Sequence, residues 1–244
     1  MTQLDDRCAN IHSKTITMDT VVILFAVIAA VATVYLVYRA FNSPTSVSNV
    51  LTIVGPISDG RKQFDSPLTI PKSFNEKQGM TFSYGCWVKI NDFSYRYGAP
   101  KLIFTKGPLD LTSMCPALFL DSTSNSLIVK IDTFGGTEVI PVGNIPAKKW
   151  VHIAIAIAQD SVDIYVDGNL YLHHSLTQVP KQNLETVHTT SAGGFDGAIA
   201  GLTYYKYLLT PDSIAGIMAS APTVGQDTDA LPPYRDNSYW LSHL

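Results

Sequence analysis

The sequence predicts an all-β protein, a two-sheet antiparallel β-sandwich that follows one N-terminal transmembrane helix. Apolar and polar residues alternate in many short runs, and Gly, Pro, Asn and Asp separate these runs at short intervals. Such a pattern is typical of sandwiches rather than of βαβ folds. One long uncharged apolar stretch lies near the N-terminus, and charged residues are only 15% of the chain. We therefore expect part of the surface to be hidden by a membrane or a partner.

The apolar stretch, TVVILFAVIAAVATVYLVY, covers residues 20–38 and has no charge, Pro or Gly. At about 1.5 Å per residue, a helix of this length spans the ~30 Å hydrocarbon layer of a bilayer. Tyr35 and Tyr38 lie near one end of the stretch, where aromatic rings favour the membrane interface. The chain is accordingly divided into a polar head (1–18), a single-pass transmembrane helix (19–39) that contacts lipid through residues 20–38, a linker (40–49), a sandwich domain (50–221) and a C-terminal tail (222–244).

Two other interpretations of this stretch are weaker. A buried core helix usually keeps a polar face, which this stretch lacks. A cleaved signal peptide would use Ala30–Ala32 as its cleavage box, but Asp19 precedes the apolar run and the run continues past that box. The basic residues near the span and the cysteine content favour opposite orientations, so the orientation of the span stays open.

The sandwich domain contains ten predicted strands followed by one helix. The helix covers residues 210–221, where Thr210 can act as the cap and Pro211 suits the first turn. The predicted strands are Leu51–Val54, Met80–Asn91, Lys101–Thr105, Ala117–Asp121, Ser126–Ile131, Glu138–Pro141, Trp150–Ala158, Asp163–Val166, Asn169–His173 and Gly197–Tyr205.

Residues 148–174 give the clearest strand pattern. Isoleucine and valine alternate with alanine along Trp150–Ala158, so both faces of this strand are apolar and we expect both to be covered. A second alternating run, Asp163–Val166, ends at Asp167-Gly168, which is a strong signal for a tight hairpin turn. The segment therefore predicts three antiparallel strands in a meander.

Four motifs give the domain a family resemblance: MTFSYGCWVKI (80–90), KKWVHIAIAI (148–157), VDIYVDGNLY (162–171) and GFDGAIAGLTYYKYLLTPDSIAGIM (194–218). In this order they resemble the concanavalin A-like lectin/glucanase superfamily, and most of all its LamG-like jelly-roll branch. The resemblance implies two antiparallel sheets packed face to face. It gives Trp87 and Trp150 the role of packing anchors and fixes the fold better than the function.

The residues needed for enzymatic chemistry are missing from this pattern. Glucanases of the superfamily carry carboxylates at alternating positions of one strand, where they act as acid and nucleophile. Glu76, Glu138 and Glu185 are the only glutamates, and none has an acidic neighbour two residues away. We therefore expect no enzyme and no catalytic residue. The net charge of −3 also argues against nucleic acid as a partner.

Metal binding has weak support in the sequence. LamG-like relatives often hold Ca²⁺ through loop carboxylates and carbonyls, and the resemblance makes Asp121 and Asn125, in LDSTSNS, the nearest candidates. A solvated turn is the stronger alternative for that loop. His173 and His174 are adjacent in a predicted strand and point to opposite faces, so they do not suit one ion. We expect no other cofactor.

Two segments are predicted to bind partner proteins. The first is the loop NDFSYRYGAPK, in which Phe93, Tyr95 and Tyr97 alternate around Arg96. Aromatic residues and Arg are common anchors of protein interfaces, although an ordinary loop over the sandwich rim would have the same composition. The second is the tail, where Tyr239 and Trp240 follow a polar spacer; a tail folded back on its own domain is the alternative.

The three cysteines and the lack of any Asn-x-Ser/Thr site favour a reducing compartment and free buried thiols, while a Cys86–Cys115 bridge stays open. Low charge, free thiols and a docking tail favour a non-enzymatic, membrane-anchored structural or adaptor protein. This architecture resembles virion proteins of large DNA viruses that lie between an internal membrane and the capsid, which implies a minor capsid protein with capsid proteins as partners. The alternative is a membrane-anchored lectin that binds glycans, in a Ca²⁺-dependent form if the loop site is real.

Overall fold

The computed structural model describes residues 18–42, 49–73, 77 and 79–219. Contacts divide the chain into two units, Met1–Val47 and Ser48–Leu244. In the first unit, helix α1 covers Met18–Asn42. Its segment Val21–Tyr38 has a mean hydropathy of 2.7, and its large apolar side chains are 54–68% exposed. By length and composition α1 can cross a bilayer, although a signal sequence shares these properties.

The second unit is built from thirteen strands and a short C-terminal helix. The strands are β1 (Val50–Val54), β2 (Ser58–Asp59), β3 (Phe64–Asp65), β4 (Phe82–Asp92), β5 (Lys101–Lys106), β6 (Ala117–Leu120), β7 (Leu127–Thr133), β8 (Gly136–Val142), β9 (Trp150–Ile157), β10 (Ser161–Val166), β11 (Asn169–Ser175), β12 (Val187–Thr189) and β13 (Asp196–Tyr205), and the helix is α2 (Pro211–Ala219).

These strands form two antiparallel sheets. Sheet A has the order β1-β13-β4-β9-β10-β11, with β2 beside β13, and sheet B has the order β3-β12-β5-β6-β7-β8. The predicted β-sandwich is therefore confirmed, and so is the meander β9-β10-β11. At the predicted hairpin, Asp167 and Gly168 both have positive φ, 47° and 81°, as a primed two-residue turn requires.

The main core lies between the two sheets and is filled by the inward faces of the strands. On β9 this face carries Ile153, Ile155 and Ile157, each at most 1% exposed. The other face of β9 carries Ala154 and Ala156, which pack in a second apolar cluster against α2. Sheet A is thus covered on both faces at this point, as the two apolar faces of the strand predicted.

Helix α2 forms where the sequence predicted a helix, over Pro211–Ala219; the last two residues of the predicted range, 220–221, lie outside the described residues. The Thr210 hydroxyl accepts a hydrogen bond from the backbone N–H of Ser213 at 3.3 Å, so Thr210 caps the first turn. Ile214 is fully buried, and Ile217 and Met218 pack beside it on the second cluster. The helix therefore covers part of the outer face of sheet A and leaves the rest of that face to other contacts.

The sequence pattern did not predict three short strands: β2, β3 and β12. They contain two or three residues each, and tertiary contacts hold them in place. For example, the His188 ring on β12 bonds the Asp65 carboxylate on β3 at 2.7 Å, and this hydrogen bond lowers the pKa of Asp65. No alternating pattern can mark so short an element.

Cys86 and Cys115 are free and buried. The sequence favoured free thiols but left a Cys86–Cys115 bridge open, and the structure shows that both thiols are free. Burial raises the pKa of each thiol to about 12, so neither is a reactive nucleophile at neutral pH.

Candidate functional site

A cleft of about 320 Å³ opens on the outer face of sheet A beside α2. Such a volume lies at the lower end of the range for small-ligand sites. The cleft is lined by Gly55, Gly85, Trp87, His152, Gly201, Thr203, Tyr205 and Ile217. These residues come from β4, β9, β13, α2 and the turn after β1.

Two glycines leave room for the cleft. Gly85 lies on β4, and a Cβ atom there would stand 3.5 Å from both His152 Nε2 and Tyr205 Cε2. Gly201 lies in β13 with φ +61°, and the pairing of β13 with β4 shifts register between Ala200 and Thr203. This bulge breaks the regular alternation of side chains along β13. The missing side chains at both glycines leave an open space above the sheet.

Trp87 and His152 form one wall of the cleft. They are paired across β4 and β9, and their ring centroids are 5.0 Å apart. Trp87 is 8% and His152 1% exposed. Burial lowers the pKa of His152 to about 4, although the nearby Asp167 carboxylate opposes this shift, so the imidazole is neutral at pH 7.

The His152 side chain is incompletely satisfied. Its Nδ1 atom is buried and makes no hydrogen bond within the part of the chain that the structure describes. An apolar strand favours a packed, hydrogen-bonded histidine at this position; the ring is packed, but among the described residues Nδ1 lacks the expected hydrogen bond. A ligand or water with a matching polar group could satisfy a nitrogen of this kind.

The described lining of the cleft is made of glycines, aromatic rings, an isoleucine, a threonine and a histidine. None of its described lining residues is acidic, so it lacks the carboxylate pair of a glycosidase. No group of three or more His, Cys, Asp or Glu side chains suitable for a metal occurs among the described residues. What the cleft presents is aromatic surface, a hydroxyl from Thr203 and a neutral imidazole.

The predicted partner-binding loop folds over the rim of the sandwich. Tyr95 donates a hydrogen bond to the Gly193 carbonyl at 3.2 Å, and the Arg96 guanidinium donates to the Gly194 carbonyl at 3.3 Å. Phe93 packs partly against the main core. Tyr97 is different, because it is 69% exposed. The structure thus brings these four residues to one rim, with Tyr97 the one most open to a partner.

Lys101 holds this loop beside the proposed calcium loop. It is 1% exposed, and its ammonium donates to the carbonyls of Phe93 and Asp121 at 3.2 and 3.1 Å. The Asp121 carboxylate accepts hydrogen bonds from the backbone and hydroxyl of Ser124, which lower its pKa. The backbone carbonyl of Asn125 accepts from the Ile145 N–H at 2.9 Å. Ca²⁺ binding at Asp121 and Asn125 stays a prediction, and a buried ammonium next to this loop works against a cation.

Tyr239 and Trp240, the tail residues predicted to bind partners, lie outside the described residues. The cleft was missed because its residues are far apart in the sequence and meet only through strand register. Trp87, Trp150 and His152 were noticed as family motif residues, but Gly85, Gly201, Thr203, Tyr205 and Ile217 were not singled out. The Gly-x-x-x-Tyr spacing of Gly201 and Tyr205 carries no recognisable signal by itself.

Comparison with known proteins agrees with this architecture. Residues 62–215, more than half of the chain, match a laminin G family model described as the concanavalin A-like lectin/glucanases superfamily. No curated protein matches the chain.

Solved structures with a similar fold include binding domains of botulinum neurotoxins. The serotype D binding domain has a TM-score of 0.54 at 12% identity, over 72% of this chain and 47% of that one. The serotype D ligand binding domain in complex with N-acetylneuraminic acid gives 0.53 at 13% identity, over 73% and 43%. The serotype G binding domain gives 0.50 at 13% identity, over 70% and 50%. The chain thus spans at most half the length of these domains, and at such identities the likeness concerns the fold alone.

Proposed function

Since the chain belongs to the concanavalin A-like lectin/glucanase superfamily, we propose that it is a non-enzymatic binding module held at a membrane by α1. In this function the sandwich acts as an adaptor that contacts other proteins, and the helix supplies the attachment. The superfamily name covers both lectins and glucanases, so the choice between a binding protein and an enzyme has to be argued from the residues of this chain.

The exposed apolar surface of α1 is the observation that carries the proposal. Every large apolar side chain along Val22–Tyr38 is more than half exposed, and the segment Val21–Tyr38 is entirely unburied. Soluble proteins rarely expose a continuous apolar surface of this size to water. A bilayer would cover it, and the helix is long enough to cross one.

Two features support a binding role without catalysis. The described lining of the cleft contains no carboxylate, and the buried thiols have a strongly raised pKa. Acid–base or nucleophilic chemistry would need groups with pKa values closer to neutrality. The adaptor role needs none of these groups.

The finer form of this proposal is a minor capsid protein that links an internal viral membrane to the capsid. Its support is the combination of a single span, a small rigid sandwich and free thiols, which suits an assembly formed in a reducing compartment. In that setting the rim with Tyr97 and the tail with Tyr239 and Trp240 would contact capsid proteins.

Cross-linking in intact source material followed by mass spectrometry tests the adaptor role. We expect lysines of the sandwich, such as Lys89 and Lys148 near the rim, to link to a small, reproducible set of other proteins. Cross-links confined to this chain would contradict the proposal. Links to a major capsid protein would support its finer form, whereas links to cellular membrane proteins alone would contradict that form.

A lectin is the second candidate function, and the aromatic cleft favours it. Trp87 and Tyr205 line the cleft together with the Thr203 hydroxyl, and aromatic surface combined with hydroxyl groups suits a sugar. Trp87 and Tyr205 are only 8% and 9% exposed, which leaves little ring surface for stacking. For this reason the lectin role comes second.

A glycan array with the full chain in detergent, with and without Ca²⁺, tests the lectin role. Gly85→Ala places a methyl group on the cleft floor at ordinary contact distance, 3.5 Å from its neighbours, so the fold should tolerate it. We expect any glycan binding in the cleft to fall at least roughly tenfold in this variant, with an unchanged melting temperature. Gly216→Ala, on an open part of α2, is the matched control. Equal binding by all three proteins would exclude the cleft as the glycan site.

A further inference from the structure

The linker enters the sandwich at one of its two ends. Val50, the first residue of β1, pairs with Tyr205, the last residue of β13, and Tyr205 pairs with Ser83 near the start of β4. The same row continues across sheet A through the start of β10, where Ser161 pairs with Ser175. We call this the linker end of the sandwich.

Sheet B contributes its own turns to the linker end. Thr177, just after β11, donates two hydrogen bonds to the Glu138 carboxylate near the start of β8, both at 2.7 Å. Lys106, the last residue of β5, lies with Phe82 and Tyr204 around one small cavity. The β7–β8 hairpin and the loop after β5 therefore lie at the same end as Val50.

Six exposed apolar side chains gather on the linker end. Two belong to hairpin and loop segments that touch each other, since the Phe134 N–H donates to the Val179 carbonyl at 3.1 Å. Leu184 lies in the loop that Asn183 ties to the Lys106 carbonyl at 3.0 Å. The linker-end apolar group, with exposed fractions, is Phe134 (73%), Leu184 (67%), Leu109 (46%), Tyr207 (39%), Val50 (38%) and Val179 (36%).

The opposite end of the sandwich differs in its exposed side chains. Its large exposed apolar residues include Tyr97, Leu170, Ile57 and Tyr171, whose hydroxyl accepts a hydrogen bond from the Gly143 N–H at 3.0 Å. Charged residues are frequent there, and some are paired, as in the Arg61–Asp196 ion pair at 2.8 Å. The linker end carries six of the large exposed apolar side chains of the described sandwich, on the side where the chain arrives from the linker.

Charge on the linker end is nearly balanced. The described exposed or half-buried lysines there include Lys72, Lys77, Lys181 and Lys206, and the acids of the same two burial classes include Asp110, Glu138, Asp160 and Glu185. This balance excludes a strong electrostatic attraction and leaves apolar contact as the source of any affinity. Phe and Tyr side chains with neighbouring lysines are the composition found where proteins meet the interface of a bilayer.

The connecting chain keeps this end near the end of α1. Seven Cα–Cα steps separate Asn42, the last residue of α1, from Asn49, whose carbonyl accepts a hydrogen bond from the Lys206 N–H at 2.8 Å. Even fully extended, such a segment reaches only about 25 Å. If α1 crosses a bilayer, the linker end is therefore tethered within about this distance of the end of α1 and can reach the lipid.

We propose that the linker end is a lipid-contacting surface, which rests on the interface of the bilayer that holds α1, with Phe134 and Leu184 inserted among the headgroups. The surface would fix the orientation of the sandwich and turn the opposite rim, with Tyr97, away from the membrane. This inference rests on the proposed membrane anchoring by α1.

The experiment uses the full chain in phosphatidylcholine vesicles, with Cys8 replaced by Ser and one environment-sensitive fluorophore attached per variant. The label is placed at Phe134→Cys, Leu184→Cys, or Tyr97→Cys as the matched control at the opposite end. The native thiols Cys86 and Cys115 are buried and stay unlabelled. Val31→Cys, within α1, reports on the anchor itself. Quenching is measured with lipids that carry a spin label either at the headgroup or deep in the acyl chain.

We expect the headgroup quencher to act at least roughly threefold more strongly on labels at 134 and 184 than on the label at 97. The deep quencher should act on the label at 31. Equal weak quenching at 97, 134 and 184, with strong deep quenching at 31, would overturn the lipid-contacting surface and leave the anchor intact. Weak quenching at 31 as well would overturn the proposed anchoring. If the fluorescence of the labels at 134 and 184 indicated an apolar environment but neither lipid quencher reduced it, the surface would be in contact with protein. This result would also overturn the inference.

Discussion

Trp87 on β4 lies directly opposite His152 on β9, with ring centroids 5.0 Å apart and ring planes inclined at 56°. The pair stands on the outer face of sheet A, where most sandwich residues would meet solvent, yet both side chains are buried. A neutral imidazole beside an indole leaves this wall of the cleft uncharged at neutral pH. Protonation of His152 would therefore change both the stability of the domain and the charge of the cleft.

Acidification should destabilise the domain through His152. The pKa of this residue is about 4 in the fold, against 6.5 for an unperturbed histidine. Between these two pH values, His152 is protonated in the unfolded chain but not in the folded chain. The free energy of unfolding is therefore highest above pH 6.5 and falls as the pH drops towards 4. The loss from this residue should be about 3 kcal/mol.

Denaturant unfolding of the wild type and of His152→Gln between pH 7 and pH 4 measures this effect. The variant should be less sensitive to pH over that interval, because it lacks the titrating ring. His173→Gln is the control, since the side chain of His173 is 56% exposed. Parallel pH profiles for the wild type and His152→Gln would show that His152 is protonated normally in the fold.

Gly197→Ala should disrupt the start of β13. A Cβ atom at Gly197 would lie 1.9 Å from the Lys89 carbonyl oxygen, and its φ is +157°. Because the clash is with backbone of the neighbouring strand, relief requires the strands to separate. We expect a loss of at least about 3 kcal/mol in the free energy of unfolding, seen as a lower melting temperature. Gly216→Ala in α2 should instead gain up to about 1 kcal/mol; similar melting temperatures for the two variants would contradict the packing described for β13.

Glu138→Gln should loosen the contact between the edges of the two sheets. The carboxylate on β8 bonds the His174 ring on β11 at 2.7 Å and accepts two bonds from Thr177. Burial raises the pKa of Glu138, but these hydrogen bonds outweigh it, and the pKa lies below its usual value. The charged form therefore adds stability above pH 4.5, and this contribution is lost as the pH falls through the folded pKa.

At pH 7 the Glu138→Gln variant should lose about 2 kcal/mol in the free energy of unfolding, because charge-assisted hydrogen bonds become neutral ones. The difference from the wild type should shrink as the pH falls below 4.5 and through the folded pKa of Glu138, where the wild-type carboxyl takes up its proton. Glu185→Gln, at an exposed position, serves as the control. A pH-independent difference would mean that the charge of Glu138 contributes nothing to the contact.

Local patterns in the sequence were enough to predict the regular elements of the fold. Alternation along β9 predicted a strand covered on both faces, and Asp167-Gly168 predicted a hairpin, because both signals depend only on neighbouring residues. Burial of Lys101 was not predictable in this way. Its ammonium is held by two carbonyls from separate loops, and these loops meet only after the sheets have packed.

The cleft was unpredictable for a related reason. Trp87 and His152 are sixty-five positions apart and meet through the register of β4 and β9. The bulge at Gly201 is a property of the paired strands rather than of the glycine alone. The predicted rim residues, in contrast, are grouped by the sequence itself, since Phe93, Tyr95, Arg96 and Tyr97 share one short loop; their binding of a partner stays a prediction.

Membrane attachment through α1 is the claim on which the function depends, and flotation tests it most directly. Full-length protein is mixed with vesicles, washed with alkaline carbonate and centrifuged through a density gradient, beside a variant with Ile28→Arg and Val31→Asp in the middle of α1. Charges at the centre of a spanning helix cost roughly 3 kcal/mol each, so the account predicts that the wild type floats with lipid and the variant stays at the bottom. Wild-type protein that is released by carbonate would contradict membrane anchoring.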